Sequence, residues 1–225
     1  MSGGKRRGAV QLRPRDRVCF IAAPEQARCP LTQTVRQTAQ GGAGLIQLRD
    51  KTSPADALKL LAENLRAALR PTGARLIVNG NIEVAEAVEA DGAHLPERAS
   101  IEQARARLGK TALIGYSAHS VDGLRRAEDA GADYAFLSPV FPTRSKPGAA
   151  PLGLKRFERA ASQTALPVYA LGGIQPDNAR LCLEAGAFGV AALSAFSDSN
   201  DAADAARRFL NVLEAYDQSA STKEG

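Results

Sequence analysis

The chain has 225 residues, 44% of them hydrophobic and 24% charged, a size and balance that fit one globular domain with a sizeable core and exclude a fibrous or fully disordered chain. Three cysteines, Cys19, Cys29 and Cys182, are too few and too scattered for a disulfide framework or a zinc site, and no segment has the length or purity of a membrane span. The formal net charge of +5 is concentrated in Lys5, Arg6, Arg7, Arg13, Arg15 and Arg17, with no aromatic residue interleaved for base stacking.

These features predict a cytoplasmic protein with neither a nucleic-acid nor a membrane partner. They also predict a loose basic leader over residues 1–16, without the apolar stretch of a signal peptide. Trp is absent and aromatics make up 5%, so aliphatic side chains are expected to fill the interior.

Along the chain, short apolar runs alternate with helix-length segments. The runs fall at 18–22, 45–48, 75–79, 92–95, 112–116, 134–137, 167–171 and 190–193. Helical periodicity appears between them, for example over 55–69, 121–130 and 178–185. Continuous apolar strands separated by helices indicate a parallel sheet covered by helices, and eight such units predict closure into a single (β/α)8 barrel over residues 17–216. Glycine-containing turns at Gly42–Gly44, Asp91–Ala93, Gly131–Asp133 and Gly186–Phe188 each precede an even-numbered run, a weak repeat suggesting (βα)2 quarters. The last helix is expected to end near Tyr216, with 217–225 as a flexible tail.

The candidate chemistry lies just after the strands, where this architecture carries its sites. Gln47, Arg49 and Lys51 alternate at the end of the second run, so their side chains can converge on one ligand. An amide, a guanidinium and an ammonium suit phosphate oxygens; the plainer alternative is a solvated charged loop. Gly172-Gly173 follows the seventh run and Leu193-Ser194 the eighth, the recurring phosphate-binding position of such barrels. The long connection 138–153 offers Thr143, Arg144, Ser145 and Lys146 as hydroxyls and cations for a dianion. Of the two histidines, His119 lies just past the fifth run and can act as acid and base. His94, inside the fourth run, reads as structural.

Together these segments resemble the thiamine phosphate synthase family, which includes the thiazole tautomerases. The matching stretches are Ile46-Gln47-Leu48-Arg49-Asp50-Lys51, Val78-Asn79, Ala90 to Leu95, Ser117-Ala118-His119, Pro139 to Lys146, Leu152-Gly153, Ala170 to Ile174 and Gly186 to Ser194. The resemblance implies a phosphorylated small-molecule substrate. A pyrimidine methyl diphosphate would lose pyrophosphate, and a thiazole phosphate nitrogen would capture the cationic carbon. It assigns Gln47, Arg49, Lys51, Asn79, Ser117 and Lys146 to the pyrimidine diphosphate side. Thr143, Ser145, Gly173, Leu193 and Ser194 fall on the thiazole phosphate side. His119, Lys146 and Arg49 carry the catalytic roles.

The chain is a divergent member by this resemblance. Gly80 and Ala99 stand where the family carries magnesium-binding aspartates, and neither supplies a side-chain oxygen. No metal ligand is therefore assigned, and Mg2+ is expected to bind, where it does, through substrate phosphates and water. Three readings follow: a thiamine phosphate synthase, a metal-independent thiazole tautomerase using His119, and a non-catalytic phosphate-ligand binder. Oligomeric state stays open at this level.

Overall fold

Eight parallel strands pair in chain order, and the first closes on the last. They are β1 Val18–Ala22, β2 Leu45–Leu48, β3 Arg75–Asn79, β4 Gly92–Leu95, β5 Leu113–Ala118, β6 Tyr134–Leu137, β7 Val168–Leu171 and β8 Gly189–Ala192. The computed structural model describes residues 11–145 and 148–222. Within these, α1 (Leu31–Gln40), α2 (Ala55–Leu69), α3 (Ile82–Ala87), α4 (Ile101–Leu108), α5 (Val121–Asp129), α6 (Leu154–Ala161), α7 (Pro176–Glu184), α8 (Ser194–Ser197) and α9 (Ala202–Ser221) connect and cover the strands. The expected (β/α)8 barrel is thus the observed fold.

Local chemistry explains the helix starts. Asn81, Ser100 and Ser120 accept hydrogen bonds from the backbone N–H groups of Val84, Gln103 and Gly123, each such cap contributing about 1 kcal/mol. Helical spacing then sets the inward face. In α2, Leu58, Ala62, Leu65 and Leu69 are buried against the strands, and full burial of a leucine contributes about 1.5–3 kcal/mol. The last helix runs to Ser221, beyond the expected end at Tyr216.

The barrel interior departs from expectation. Besides aliphatic residues it holds Tyr134, Phe136 and Tyr169, with centroids 5.4–5.5 Å apart; Tyr169 meets the other two rings edge to face, and those two are tilted at 51°. Register explains how three large rings fit. Tyr134 pairs with Gly115 across the β5–β6 ladder and Tyr169 with Gly189 across β7–β8. The Tyr134 ring occupies space that Gly115 leaves empty, while at Gly189 the missing side chain makes room for the Arg17 backbone.

The expectation of a loose leader through residue 16 is also corrected for its final residues. Asp16 is fully buried at the amino end of the barrel. Its carboxylate accepts from Arg13 Nη2 at 2.8 Å and Arg75 Nη1 at 3.0 Å, and its carbonyl accepts from the Tyr169 hydroxyl at 2.8 Å. Arg15 donates to the Thr72 carbonyl and Arg17 to that of Phe188. These arginines look like a solvated arm in sequence because their partners lie far along the chain. Residues 1–10 of the expected leader lie outside the described residues. Among the described residues no helix is long and apolar enough to cross a membrane.

Candidate active site

The carboxyl ends of the strands surround a cavity of about 270 Å³, and side chains on or just after every strand line it. Ile21 comes from β1, Arg49 and Lys51 follow β2, and Asn79 ends β3. Glu97 follows β4, Ser117 belongs to β5 and His119 follows it. Ser138 and Pro139 follow β6, with Thr143 and Ser145 further along the same connection. Gly172 and Gly173 follow β7, and Leu193 and Ser194 follow β8. Pockets of this kind at the carboxyl face are the usual sites of the architecture.

Eleven of the residues singled out in the sequence therefore share one cavity: Arg49, Lys51, Asn79, Ser117, His119, Thr143, Ser145, Gly172, Gly173, Leu193 and Ser194. Gln47 is not on its wall. It is buried at 2% exposure, one layer deeper, and its Nε2 donates to Asn79 Oδ1 at 3.2 Å. Its side chain does point into the barrel as the strand alternation requires, but from below the cavity floor. Lys146 lies outside the described residues.

Cations dominate the β2 wall. Arg49 has Glu25 Oε1 as a loose partner at 3.9 Å. Asp50, which sits between the cations in sequence, turns away and accepts from the backbone N–H groups of Thr52 and Ser53. Both cations therefore line the cavity without a tight carboxylate contact from their neighbour. Arg144 is not on the wall; it forms an ion pair with Asp198 at the end of α8, and Arg28 holds the same carboxylate at 3.3 Å. That pairing ties the β6–α6 connection, which carries Thr143 and Ser145, to the end of the barrel beyond β8.

The β7 wall is built from backbone. Gly172 and Gly173 both have positive φ, +97° and +67°. The turn they form brings the chain hard against the β6–α6 connection, where Val140 and Phe141 donate to the Leu171 and Gly172 carbonyls at 2.9 and 3.0 Å. A side chain at either glycine would collide with that connection. Asn178, at the start of α7, donates to the Gly173 carbonyl at 2.9 Å and fixes the turn from behind.

His119 sits exposed at the mouth, with Nδ1 2.9 Å from the Ser138 carbonyl oxygen. A carbonyl can only accept, so Nδ1 carries the proton and Nε2 is the basic nitrogen of the neutral ring. His94, by contrast, is buried at 1% exposure inside the barrel, and burial pushes its pKa down to about 3.

The described residues do not build a magnesium site of their own. Gly80 offers open space where a side chain could stand, and Ala99 packs against the core. Among the described residues, no three His, Cys, Asp or Glu side chains are grouped to hold a metal. Glu97 lines the cavity, but its Oε1 lies 3.4 Å from Arg126. Glu83 points to Arg107 at 2.6 Å and is not part of the cavity wall.

Sequence reasoning passed over Ile21 and gave Ser138 and Pro139 no role of their own within the connection it singled out. Only their place at strand ends could have marked them, since an apolar residue, a lone serine and a proline carry no chemical pattern.

A family model described as thiamine monophosphate synthase matches residues 18–196. The chain belongs to the thiamine monophosphate synthase family. The match spans all eight strands and every cavity residue named above. A thiamine-phosphate synthase of Moorella thermoacetica is 41% identical over 186 residues, covering 82% of this chain and 89% of that protein. One from Natronomonas pharaonis is 39% identical over 186 residues, covering 81% and 87%. Among solved structures, a thiamine phosphate pyrophosphorylase from Pyrococcus furiosus superposes with a TM-score of 0.80 at 32% identity, over 90% of this chain and 98% of that one.

Proposed function

We propose that this member of the family is a thiamine phosphate synthase, joining a hydroxymethylpyrimidine diphosphate to a thiazole phosphate with release of pyrophosphate. One observation carries the reading. A single cavity has the cationic side chains of Arg49 and Lys51 on one wall and the Gly172–Gly173 turn with Leu193 and Ser194 on another. That is provision for two anionic groups.

In this reading Arg49, Lys51, Asn79 and Ser117 hold the diphosphate, with Lys146 as a further cation. Gly173, Leu193, Ser194, Thr143 and Ser145 hold the thiazole phosphate. The bond from the pyrimidine methylene carbon to the diphosphate oxygen breaks, and its electron pair leaves on pyrophosphate. The thiazole nitrogen then donates its lone pair to that carbon. The cations are in place before the charge develops on the leaving group, so they stabilise it without reorganising. Magnesium would be carried by the diphosphate oxygens and water, since the described residues supply no cluster of acids for it. A cytoplasmic setting fits this chemistry and the three free cysteines.

One specific observation favours a second reading. The His119 ring, pinned by Ser138, presents Nε2 as a base at the same cavity, which suits proton transfer in a thiazole tautomerase.

The two are separated by supplying purified protein with both substrates, with Mg2+ and with chelator. Thiamine phosphate and pyrophosphate formed in equal amounts at enzymatic turnover are the expected result. Absence of product at any Mg2+ concentration, together with thiazole tautomerisation abolished by His119→Ala, would overturn the synthase in favour of the tautomerase.

A further inference from the structure

We infer that His94 is a positioning residue: Tyr134 holds it in the Nε2–H tautomer, and it thereby fixes the Ser117 hydroxyl as a hydrogen-bond donor toward the ligand cavity.

The three residues form a line from the barrel's centre to the cavity wall. His94 Nδ1 lies 3.3 Å from the Tyr134 hydroxyl, and His94 Nε2 lies 3.0 Å from Ser117 Oγ. Gly115 makes the contact possible. It pairs with His94 across one ladder and with Tyr134 across the next. A Cβ on it would stand 2.5 Å from His94 Nδ1 and 2.2 Å from Tyr134 Cζ. The absent side chain is the space in which the two rings meet. Phe136 closes the other side of the imidazole, its centroid 4.3 Å away.

Hydrogen-bond accounting sets the direction of each proton. Both rings are buried, the imidazole at 1% exposure and the phenol at 0%, so each is held in its neutral form. A neutral imidazole has one N–H and one lone pair. Among the described residues, the Tyr134 hydroxyl has His94 Nδ1 as its hydrogen-bond partner. A buried O–H left without an acceptor is unfavourable, so Tyr134 donates and Nδ1 accepts. Nε2 then carries the ring's proton and donates to Ser117 Oγ. With its oxygen engaged as acceptor, Ser117 has its own proton left to give, and the side chain lines the cavity. Asn79 is set in the same sense: Gln47 donates to its Oδ1, so its Nδ2 group is left to donate. With Arg49 and Lys51, which carry only donors, these four side chains turn mainly donors toward the ligand. This set fits a ligand that presents acceptors, as a diphosphate does; that step rests on the function proposed above.

The test has two readouts. Protein labelled with 15N-histidine gives two imidazole signals, assigned with a His119→Gln variant. The expected spectrum shows His94 with Nδ1 unprotonated and Nε2 protonated from pH 5 to 8, and a mixture of tautomers in Tyr134→Phe. Protonation on Nδ1 in the wild type would overturn the inference.

The second readout is calorimetric titration with inorganic pyrophosphate. His94→Leu should weaken binding about three- to tenfold, the range of one hydrogen bond, while His94→Gln, which retains an N–H for Ser117, should recover most of it. A folded His94→Leu protein that binds pyrophosphate like the wild type would overturn the positioning role. Should His94→Leu not fold, Tyr134→Phe takes its place, with a weakening of up to about threefold expected and unchanged binding counting against the role. The expected tautomer in a wild-type protein that does not bind pyrophosphate would instead count against the proposed substrate and leave the Tyr134–His94–Ser117 relay standing.

Discussion

Gly173 lies so close to Pro142 that a Cβ built on it would stand 2.5 Å from the Pro142 carbonyl oxygen. The two residues come from neighbouring connections at the cavity mouth, so this approach fixes where the β7 turn and the β6–α6 connection meet. Gly173 also sits at φ +67°, where a side chain costs about 1 kcal/mol or more. Gly173→Ala is expected to displace the connection carrying Thr143 and Ser145. KM for the thiazole phosphate should rise at least tenfold, KM for the pyrimidine diphosphate should change much less, and Tm should fall by a few degrees. Equal changes in both KM values would show that the turn does not serve the thiazole side.

Arg49 carries the second prediction. Its closest carboxylate, Glu25, is 3.9 Å away and partly exposed, so the guanidinium is available to a ligand. If it stabilises the leaving pyrophosphate, Arg49→Ala should lower kcat/KM by roughly 10² to 10³, the usual effect of removing a preorganised charge-stabilising group. Arg49→Lys should recover only part of this, because the bidentate fork is lost. Steady-state kinetics with the diphosphate as varied substrate measure both. A loss below threefold in Arg49→Ala would remove Arg49 from the machinery.

Burial of His94 has a consequence for acid stability. Its pKa falls from an ordinary 6.5 to about 3 because burial penalises the charged ring. Below pH 6.5 the unfolded chain takes up a proton at this position and the folded chain does not. The stabilising contribution is therefore complete above 6.5 and is lost as pH falls toward 3, at about 1.4 kcal/mol per pH unit well inside that window. Urea unfolding at pH 7, 6 and 5 should show the wild type losing about 1–2 kcal/mol more than His94→Gln by pH 5. Parallel losses in the two proteins would mean that His94 is charged in the native state.

Gly80 allows a direct test of the missing acids. It has φ +76° and nothing within 4 Å of an added Cβ, so an aspartate fits there at a cost of about 1 kcal/mol. Gly80→Asp is expected to lower the Mg2+ concentration needed for half-maximal turnover. A metal dependence identical to the wild type would show that the lost side-chain oxygen is not what sets magnesium use in this chain.

The fold was legible because strands buried on both faces are written as unbroken apolar runs. Seven of the eight lie within one residue at each end of their predicted bounds, and the fifth, placed at 112–116, runs on to Ala118. The cavity residues were legible because functional groups cluster where strands end. What escaped depends on contacts across long stretches of chain. Gln47 obeys the alternation that groups it with Arg49, yet depth along the strand puts it under Asn79 instead of on the wall. Composition argued for an aliphatic interior, whereas Tyr134 and Tyr169 enter it opposite glycines that only register reveals. Arg13 and Arg15 look like solvent-facing charge until Asp16, Thr72 and Gly73 are found beside them.

The clamp on Asp16 also decides where this domain can be cut. The family match begins at residue 18, the first residue of β1, and a boundary drawn there looks natural on an alignment. It would sever Asp16 from Arg75 and leave the Tyr169 phenol without its acceptor inside the barrel. The six residues ahead of β1 behave as a stopper moulded to the bottom of the barrel, so a minimal folding unit starts at about Leu12, and any tag or fusion joint belongs upstream of it.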